Sequence, residues 1–451
     1  MKIIAKRSQL DGCIQVPGSK SHTIRALLLA ALAEGISHIK NPLASADCLS
    51  AAGAIPLLGA RVDLGCKVWT VQGAGSAAHL PDDVVNVGNS GSLLYFMSPI
   101  AATFEGISVF TGDESIRQRP VLHVIDALNQ LGAKAQVSRP GGQCCPLVIE
   151  GPISCQNTVR TGGELSQYIS GLMMAATRME GTLNIELSNP KETPYLSMTR
   201  LWLESLGVAV SVSADFKHIQ VTGPARLAAF DRTIPSDWEA VAFPLVACVL
   251  AGGQIQITDV DTSGSQGDEA IVDVLRSVGA DIEIDSTTCT LTARGGKRLS
   301  TEWLPGGELH VNLSGFPDAV CALTVAACFV EGKTFIEDIG VCRKKECDRI
   351  KVLSTELAKL GADVTEGSDC LVIQGHSPLL AGGEANPAFK LHGGEVESYH
   401  DHRVAMAFAC MGLALPQGEQ LVVKDGECCA VSFPGFAQAM NGIGAGFTQE
   451  K

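Results

Sequence analysis

A pattern of apolar and polar positions recurs along the chain at nearly regular intervals. Each copy is an amphipathic helical stretch ending in Leu-Gly-Ala or a close variant, then alternating β-branched residues and a final Gly, as in LGAKAQVSRPGGQCCPLVIEG. The copies are anchored at Leu58, Leu131, Leu206, Val278, Leu360 and a truncated sixth at Ile443, roughly 73, 75, 72, 82 and 83 residues apart. Gly favours a left-handed helix cap and alternation indicates a strand, so each copy predicts a helix followed by a β-hairpin.

A second kind of helical stretch alternates with the first. Its members begin with small or charged polar residues and continue as apolar and small residues on nearly every side. They read GSKSHTIRALLLAALAEG, GNSGSLLYFMSPIAATFEG, GELSQYISGLMMAATRMEG, SDWEAVAFPLVACVLAGG, FPDAVCALTVAACFVEG and SYHDHRVAMAFACMGLAL. A helix that is apolar all round is buried, so these stretches predict six core helices, while the amphipathic helices lie outside.

Together the two patterns predict an α/β protein of six βαβαββ-like units, three in each of two domains. We expect one domain over residues 19–235 and the other over 1–18 with 236–451. The sheets of each domain would wrap three parallel buried helices, whose N-termini would gather and face an interdomain cleft. Helix N-termini carry partial positive charge and free N–H groups, so this arrangement favours an anionic ligand.

Composition narrows the class of protein. A chain of 451 residues is too long for one compact core, and 46% hydrophobic with 18% charged residues is typical of a globular protein. A net charge of −14 argues against nucleic-acid or acidic-membrane partners, so an anion must be held by a local basic pocket. The first residues lack a signal peptide's apolar segment, and the longest apolar runs are too short to cross a bilayer.

The sixteen cysteines predict neither a disulfide framework nor a metal site. They form no C-x-x-C motif, two pairs are adjacent in sequence, and several fall within the apolar helices. We interpret them as small buried thiols in a reducing compartment.

Ionisable residues gather at the predicted beginnings of the helices. Ser21, Asn89, Ser166, Asp237 and Asp318 are residue types that cap helices, and capping alone could explain them. Cations at the same places oppose the helix dipole, and they include Lys20, Arg25, Arg119, Lys345, Arg349 and Arg403. Any one of them could be a solvated surface charge, but their recurrence indicates an offsetting anion.

Six segments at these helix beginnings carry a family resemblance. They are PGSKSHTIRALLLAAL, GNSGS, GDESIRQRPV, SQYISGLMMAA, RKKECDRI and YHDHRVAMAF. Together they resemble the enolpyruvyl transferase family, and within it the 3-phosphoshikimate 1-carboxyvinyltransferases, also called EPSP synthases. The resemblance runs from Pro17 to SFPGF near Ser432 and implies the family's two-domain inside-out α/β barrel of six units.

The resemblance implies a reaction in which the 5-hydroxyl of shikimate 3-phosphate adds to C2 of phosphoenolpyruvate. The adduct then loses phosphate to give an enol ether, with neither metal nor organic cofactor. It implies a cytoplasmic monomer of the shikimate pathway that makes aromatic amino acid precursors, with no nucleic-acid or membrane partner. Two phosphates and two carboxylates on the substrates would account for basic helix beginnings in an acidic protein.

The resemblance also implies residue roles. Shikimate 3-phosphate would be bound by Lys20, Ser21, Arg25, Ser166, Gln167, Tyr195, Asp318 and Lys345. Phosphoenolpyruvate would be bound by Lys20, Asn89, Gly91, Arg119, Gln167, Arg349 and Arg403. Catalysis would use Asp318 as acceptor of the hydroxyl proton, Glu346 as proton donor, Lys20, and His402. His402 would either shuttle a proton or fix Arg403, and Asp401 suits a helix cap.

Several positions depart from the family pattern. Tyr95 stands where an arginine is common, Leu165 and Glu192 where serines are common, and Glu427 where a basic residue is common. The head of the fourth core helix, Asp237-Trp238-Glu239, lacks the usual small hydroxyl residues. These changes remove cations and add carboxylates near an anion site, so they would weaken phosphoenolpyruvate binding or change the acceptor.

Two alternative functions stay open at this point. UDP-N-acetylglucosamine enolpyruvyl transferases do the same chemistry, but they carry Lys-Asn where this chain has Lys20-Ser21, and a reactive cysteine that GDESIRQRP lacks. A non-catalytic binding homologue would be expected to lose Lys20, Asp318 or Glu346, and all three are present.

Overall fold

The structure is a computed structural model that describes residues 1–450. The chain divides into two compact units. The continuous unit is Gly18–Pro235, and the split unit joins Met1–Pro17 to the chain from Ser236 onward. The continuous unit is therefore an insertion, in sequence, between the second and later strands of the split unit.

Helices and strands alternate along both units. The α-helices are α1 (Lys20–Leu32), α2 (Ala46–Ala54), α3 (Gly91–Ala101), α4 (Leu122–Gln130), α5 (Ser166–Ala175), α6 (Thr193–Ser205), α7 (Trp238–Ala251), α8 (Ile271–Ser277), α9 (Val320–Ala327), α10 (Arg349–Ala358), α11 (His402–Gly412) and α12 (Phe436–Gly442). The strands are β1 (Lys2–Lys6), β2 (Leu10–Gln15), β3 (Glu34–Lys40), β4 (Arg61–Leu64), β5 (Val68–Ala74), β6 (Val85–Asn86), β7 (Gly106–Thr111), β8 (Lys134–Val137), β9 (Leu147–Gly151), β10 (Val159–Thr161), β11 (Gly181–Leu187), β12 (Ala209–Val212), β13 (His218–Gly223), β14 (Asp231–Thr233), β15 (Gly253–Thr258), β16 (Asp281–Asp285), β17 (Thr290–Gly295), β18 (Leu299–Ser300), β19 (Glu308–Asn312), β20 (Val330–Glu337), β21 (Asp363–Glu366), β22 (Cys370–Gly375), β23 (Gly394–Val396), β24 (Gln420–Val423) and β25 (Thr448–Glu450).

Three small sheets form the continuous unit, in the orders β14-β3-β5-β4, β6-β7-β9-β8 and β10-β11-β13-β12. In the last of them β10 and β11 are parallel, which requires the crossover through α5. The hairpin β12–β13 then adds antiparallel to β11. The strand and helix order is βαβαββ, as the repeat predicts.

Three further sheets form the split unit. Their orders are β16-β17-β15-β2, β18-β20-β22-β21 with β19 also on β20, and β23-β24-β1-β25. The sixth repeat, truncated in the sequence, is completed by the first strand of the chain. β1 pairs antiparallel with β24 and with β25, so that Ile3 lies opposite Val423 and also opposite Gln449.

The glycine of each Leu-Gly-Ala phrase ends a helix as predicted. Gly132 follows α4 with φ +99°, and the N–H of the next residue, Ala133, donates to the Leu128 carbonyl. The equivalent glycines after the other outer helices have φ between +82° and +100°. This is a Schellman-type cap, in which the left-handed residue must be Gly and the residue after it reaches back to a free carbonyl.

The two kinds of helix separate as the patterns predict. α1, α3 and α5 are buried almost end to end in the core of the continuous unit, and α7, α9 and α11 are equally buried in the split unit. α4 and α6 instead bury only one side each. Each unit thus has its own core of three buried helices surrounded by sheets. No α-helix among residues 1–450 is both long enough and apolar enough to cross a membrane.

Candidate active site

The split unit holds a fully buried arginine among carboxylates. Arg349 is the first residue of α10 and is 0% exposed. Its guanidinium donates to Asp401 at 2.7 Å, to Asp318 at 2.5 Å and to Glu346 at 2.6 Å. Burial alone would lower the pKa of Arg349, but the neighbouring acids, Asp401 and Glu346 foremost, raise it well above its ordinary value.

Two more cations join this network. Arg403, in the first turn of α11, forms ion pairs with Glu239 of α7 and with Asp318, the latter at 3.3 Å. Lys345 lies 3.7 Å from the other oxygen of Asp318. Asp318, Arg403 and Glu239 belong to the beginnings of α9, α11 and α7, so these contacts bring the three core helices of the unit together at their N-terminal ends.

Asp401 does two things in this network. It is the N-cap of α11, where Oδ1 accepts from the backbone N–H groups of Arg403 at 2.9 Å and Val404 at 3.4 Å. Its Oδ2 meanwhile accepts from Nε of Arg349. The capping role expected for Asp401 is confirmed, and the contact with Arg349 adds a second role. His402, the next residue, is fully buried at the start of α11.

The network changes the interpretation of the cations in this unit. Their recurrence at helix beginnings indicated an anion from outside the chain. The structure instead gives Arg349 and Arg403 carboxylates of the chain itself, so their positive charge is already offset. An anionic substrate here must therefore share or displace these ion pairs.

The continuous unit holds the opposite case. Arg25 of α1 is 1% exposed, and its guanidinium donates to Thr199, Ser170 and the carbonyls of Ser21 and Tyr195. All of these acceptors are neutral, and the ring of Phe96 lies 4.6 Å away. Burial lowers the pKa of Arg25 to about 9, with a smaller opposing effect of Tyr195. A buried cation with neutral neighbours is costly unless an anion binds.

The other predicted residues of this unit lie around the beginnings of α1, α3 and α5. Lys20 is buried, with Nζ 3.7 Å from Asp47, a residue of α2 that the sequence did not single out. The guanidinium of Arg119 lies so close to Gly91 that a Cβ there would collide with it. Asn89 donates to Asp113 at 2.6 Å. Gln167 of α5 donates to Ser92 of α3 at 3.1 Å, which joins two helix beginnings of this unit.

Capping explains only some of the polar residues at the helix beginnings. Asp237 caps α7 as expected, by accepting from the N–H of Glu239. Ser21 and Asn89 do not cap, because α1 and α3 are capped by Ser19 and Ser90. Asp318 lies inside the 3-10 turn Pro317–Ala319 that leads into α9. At the beginnings of α1, α3 and α7 the sequence shows several suitable polar residues close together, and backbone geometry selects among them.

Capping could also have explained Ser166, but Ser166 is the first residue of α5 and not its N-cap. The N-cap is Leu165, which has no side-chain acceptor. The carboxylate of Glu192 supplies one. Its Oε2 accepts from the backbone N–H of Ser166 at 3.0 Å and from the Ser166 hydroxyl at 2.8 Å.

The other departures from the family pattern also have structural partners. Tyr95 donates from its hydroxyl to the carbonyl of Pro120, next to Arg119. Glu239 holds Arg403, as described above. Glu427 lies 2.7 Å from the amino group of Met1.

Ser170 and Thr199, which both contact Arg25, were not identified from the sequence. Thr199 lies one helical turn after Tyr195, which is the only signal the sequence offered.

Comparison with known proteins agrees with this description. A family model for EPSP synthase (3-phosphoshikimate 1-carboxyvinyltransferase) matches residues 4–440. A 3-phosphoshikimate 1-carboxyvinyltransferase of Ruminiclostridium cellulolyticum is 35% identical over 444 residues, which cover 98% of this chain and 99% of the relative. Another, of Methanococcus maripaludis, is 34% identical over 450 residues, with 99% of each chain covered.

Solved structures share the fold. EPSP synthase from Acinetobacter baumannii superposes with a TM-score of 0.80 at 24% identity, over 100% of both chains. The enolpyruvyl transferase NikO from Streptomyces tendae gives 0.76 at 16% identity, over 99% of this chain and 98% of that one. At these identities the likeness establishes the fold alone, which is the predicted two-domain α/β fold. The full-length sequence matches go further, and they show that this chain belongs to the EPSP synthase (3-phosphoshikimate 1-carboxyvinyltransferase) family.

Proposed function

We propose that this chain is a transferase that moves the enolpyruvyl group of phosphoenolpyruvate to the 5-hydroxyl of shikimate 3-phosphate, with release of phosphate. The observation that carries the chemistry is the Arg349 network, in which Asp318 and Glu346 are both held on one buried guanidinium. Family membership supports the same reaction.

The reaction needs a proton acceptor and a proton donor. In the addition step Asp318 takes the hydroxyl proton while the oxygen bonds to C2 of phosphoenolpyruvate, and Glu346 gives a proton to C3. In the elimination step Glu346, now a carboxylate, takes a proton back from C3, the C2=C3 double bond re-forms, and the C2–O bond to phosphate breaks as Asp318 returns its proton to the departing phosphate. The Asp318 side chain pairs with Lys345 and Arg403 as well as with Arg349, and the Glu346 side chain lies at another position around the same guanidinium. Different charge surroundings favour different protonation states.

The remaining residues are proposed to bind the substrates. Arg25, whose hydrogen-bond acceptors are all neutral, is the best supported ligand for an anion of shikimate 3-phosphate. The other residues proposed to bind this substrate are Lys20, Ser21, Ser166, Gln167, Tyr195 and Lys345. Arg119 against Gly91, with Asn89, Arg349 and Arg403, is proposed for phosphoenolpyruvate. His402 is buried and directly precedes Arg403 in the chain. We propose that it holds the side chain of that arginine in position.

A phosphate-release assay tests the function. Phosphate should appear only when shikimate 3-phosphate and phosphoenolpyruvate are both present, and the product should carry the enol ether on the 5-oxygen. UDP-N-acetylglucosamine, run as a parallel acceptor, should give none. If phosphate is released from phosphoenolpyruvate with UDP-N-acetylglucosamine but not with shikimate 3-phosphate, the proposal is refuted in favour of UDP-N-acetylglucosamine enolpyruvyl transfer. We further propose that the enzyme works as a monomer in the cytoplasm, which size-exclusion chromatography with light scattering and cell fractionation can check.

A further inference from the structure

Glu192 occupies an unusual position for an acidic residue. It is only 2% exposed, and its backbone has φ +51° in the left-handed region, which non-glycine residues seldom adopt. The carbonyl of Glu192 accepts from the N–H of Tyr195 in the first turn of α6. A buried charge on a strained backbone is retained only where its surroundings fix it.

What fixes it is the beginning of α5. The backbone N–H of Ser166 is one of the free donors at that helix N-terminus, and Leu165 provides no side-chain cap. One oxygen of Glu192 accepts both from this N–H and from the Ser166 hydroxyl. Leu165 and Glu192 are thus a matched pair, because the carboxylate supplies the acceptor that the leucine lacks.

A carboxylate in this position resembles a bound anion. It accepts the same two donors that an oxygen of a phosphate group would use at a helix N-terminus. One turn further along α5, Ser170 contacts the guanidinium of Arg25. The region therefore combines a buried cation with a helix beginning whose first donor is already taken by an acid of the chain.

We propose that Glu192 sets the acceptor specificity of this enzyme by acting as a built-in competitor for the acceptor's phosphate at the beginning of α5. This inference rests on the proposed function and deepens it. A phosphorylated acceptor must displace or neutralise the carboxylate, so the phosphate adds little affinity in this chain. The preference for shikimate 3-phosphate over shikimate is therefore smaller than it would be without Glu192, because a carboxylate repels phosphate.

The test uses variants that separate charge from capping. Glu192→Gln removes the charge but keeps an amide oxygen to accept from Ser166. The double variant Leu165→Ser/Glu192→Ser restores a hydroxyl cap on α5 and removes the acid. Glu204→Gln, an exposed acid on α6 paired only loosely with Arg200, is the matched control. Calorimetry then measures binding of shikimate 3-phosphate and of shikimate to each full-length protein.

The two Glu192 variants should bind shikimate 3-phosphate at least about tenfold more tightly than the unmodified chain, since a like charge next to the phosphate is removed. Their affinity for shikimate should change less than about twofold, since no phosphate is involved, and Glu204→Gln should change neither. Unchanged or weaker binding of shikimate 3-phosphate in both folded Glu192 variants would overturn the proposal.

A second readout does not depend on the acceptor. Inorganic phosphate should raise the thermal midpoint of Glu192→Gln more than that of the unmodified chain, because the negative charge that repels phosphate at this helix beginning is gone. If neither the unmodified chain nor the variants release phosphate from phosphoenolpyruvate with shikimate 3-phosphate, but phosphate still stabilises Glu192→Gln more, the proposed function fails and the role of Glu192 stands. If Glu192→Gln shows no added stabilisation by phosphate, the role of Glu192 is refuted whatever the reaction.

Discussion

The carboxylate of Asp401 joins the backbone of α11 to the side chain of Arg349, with 2.7 Å between Oδ2 and Nε and both residues fully buried. One side chain thereby fixes a helix beginning and aims the guanidinium that contacts Asp318 and Glu346. Positioning of the proposed acid and base thus depends on a residue that need not touch the substrates.

Replacing Asp401 tests this dependence. Asp401→Asn keeps a capping oxygen but removes the charge facing Arg349, so the free energy of unfolding should fall by about 3 kcal/mol. Asp348→Asn is the control, because Asp348 also caps a helix, α10, but pairs with the half-buried Arg343. It should cost about 1 kcal/mol or less. Urea unfolding followed by circular dichroism measures both, and equal losses would contradict the role of Asp401.

Asp318 should be needed for turnover more than for binding. Asp318→Asn removes the proposed proton acceptor, and kcat should fall by at least about a hundredfold. Binding of shikimate 3-phosphate should stay measurable by calorimetry, because Arg25 and its neighbours are untouched. Asp363→Asn, at an exposed site on β21, should leave kcat unchanged. Near-normal turnover of Asp318→Asn would remove it as the base.

Gly91 should matter for phosphoenolpyruvate. A methyl group there would push the end of the flexible Arg119 side chain away, so the fold should survive while KM for phosphoenolpyruvate rises by about tenfold or more. Gly53→Ala is the matched control, since Gly53 lies within α2 and has open space around its Cα. Initial-rate kinetics at saturating shikimate 3-phosphate compares them. An unchanged KM in Gly91→Ala would show that this contact does not serve the substrate.

Binding of shikimate 3-phosphate at Arg25 should be accompanied by uptake of protons from solution. Its pKa is lowered to about 9 by burial, so near pH 9 part of the population carries a neutral side chain. A bound anion favours the charged form and raises the pKa, so binding must take up protons near pH 9 and weaken as pH rises further. Calorimetry of shikimate 3-phosphate binding in two buffers of different ionisation enthalpy measures this uptake. Arg25→Met should lose it, and equal uptake in both proteins would count against the assignment.

The sequence predicted the fold because its signals are local. A glycine after each outer helix and a core helix that is apolar on all sides need no knowledge of distant partners, and the six-fold repeat multiplies each signal. The exact caps were less predictable, since Ser19 and Ser90 compete with neighbouring residues of the same chemistry.

The site was predicted as a set of residues but not as a network. Nothing local says that Glu192 accepts from Ser166, or that Arg349 meets Asp401, because these partners are 26 and 52 positions apart. In the sequence, Tyr95, Leu165 and Glu192 appear only as the loss of the family's usual arginine and serines. In the structure each of them belongs to a hydrogen-bonded or capping arrangement that replaces the family's usual residue.

The pairing of β1 with β24 and β25 bears on how the chain matures during synthesis. Ile3 leaves the ribosome more than four hundred residues before its partners Val423 and Gln449. Residues Gly18–Pro235 form a complete unit long before that point, so they can fold while translation continues. Until then β1 lacks these pairing partners, and the split unit can close only after β24 and β25 have been synthesised.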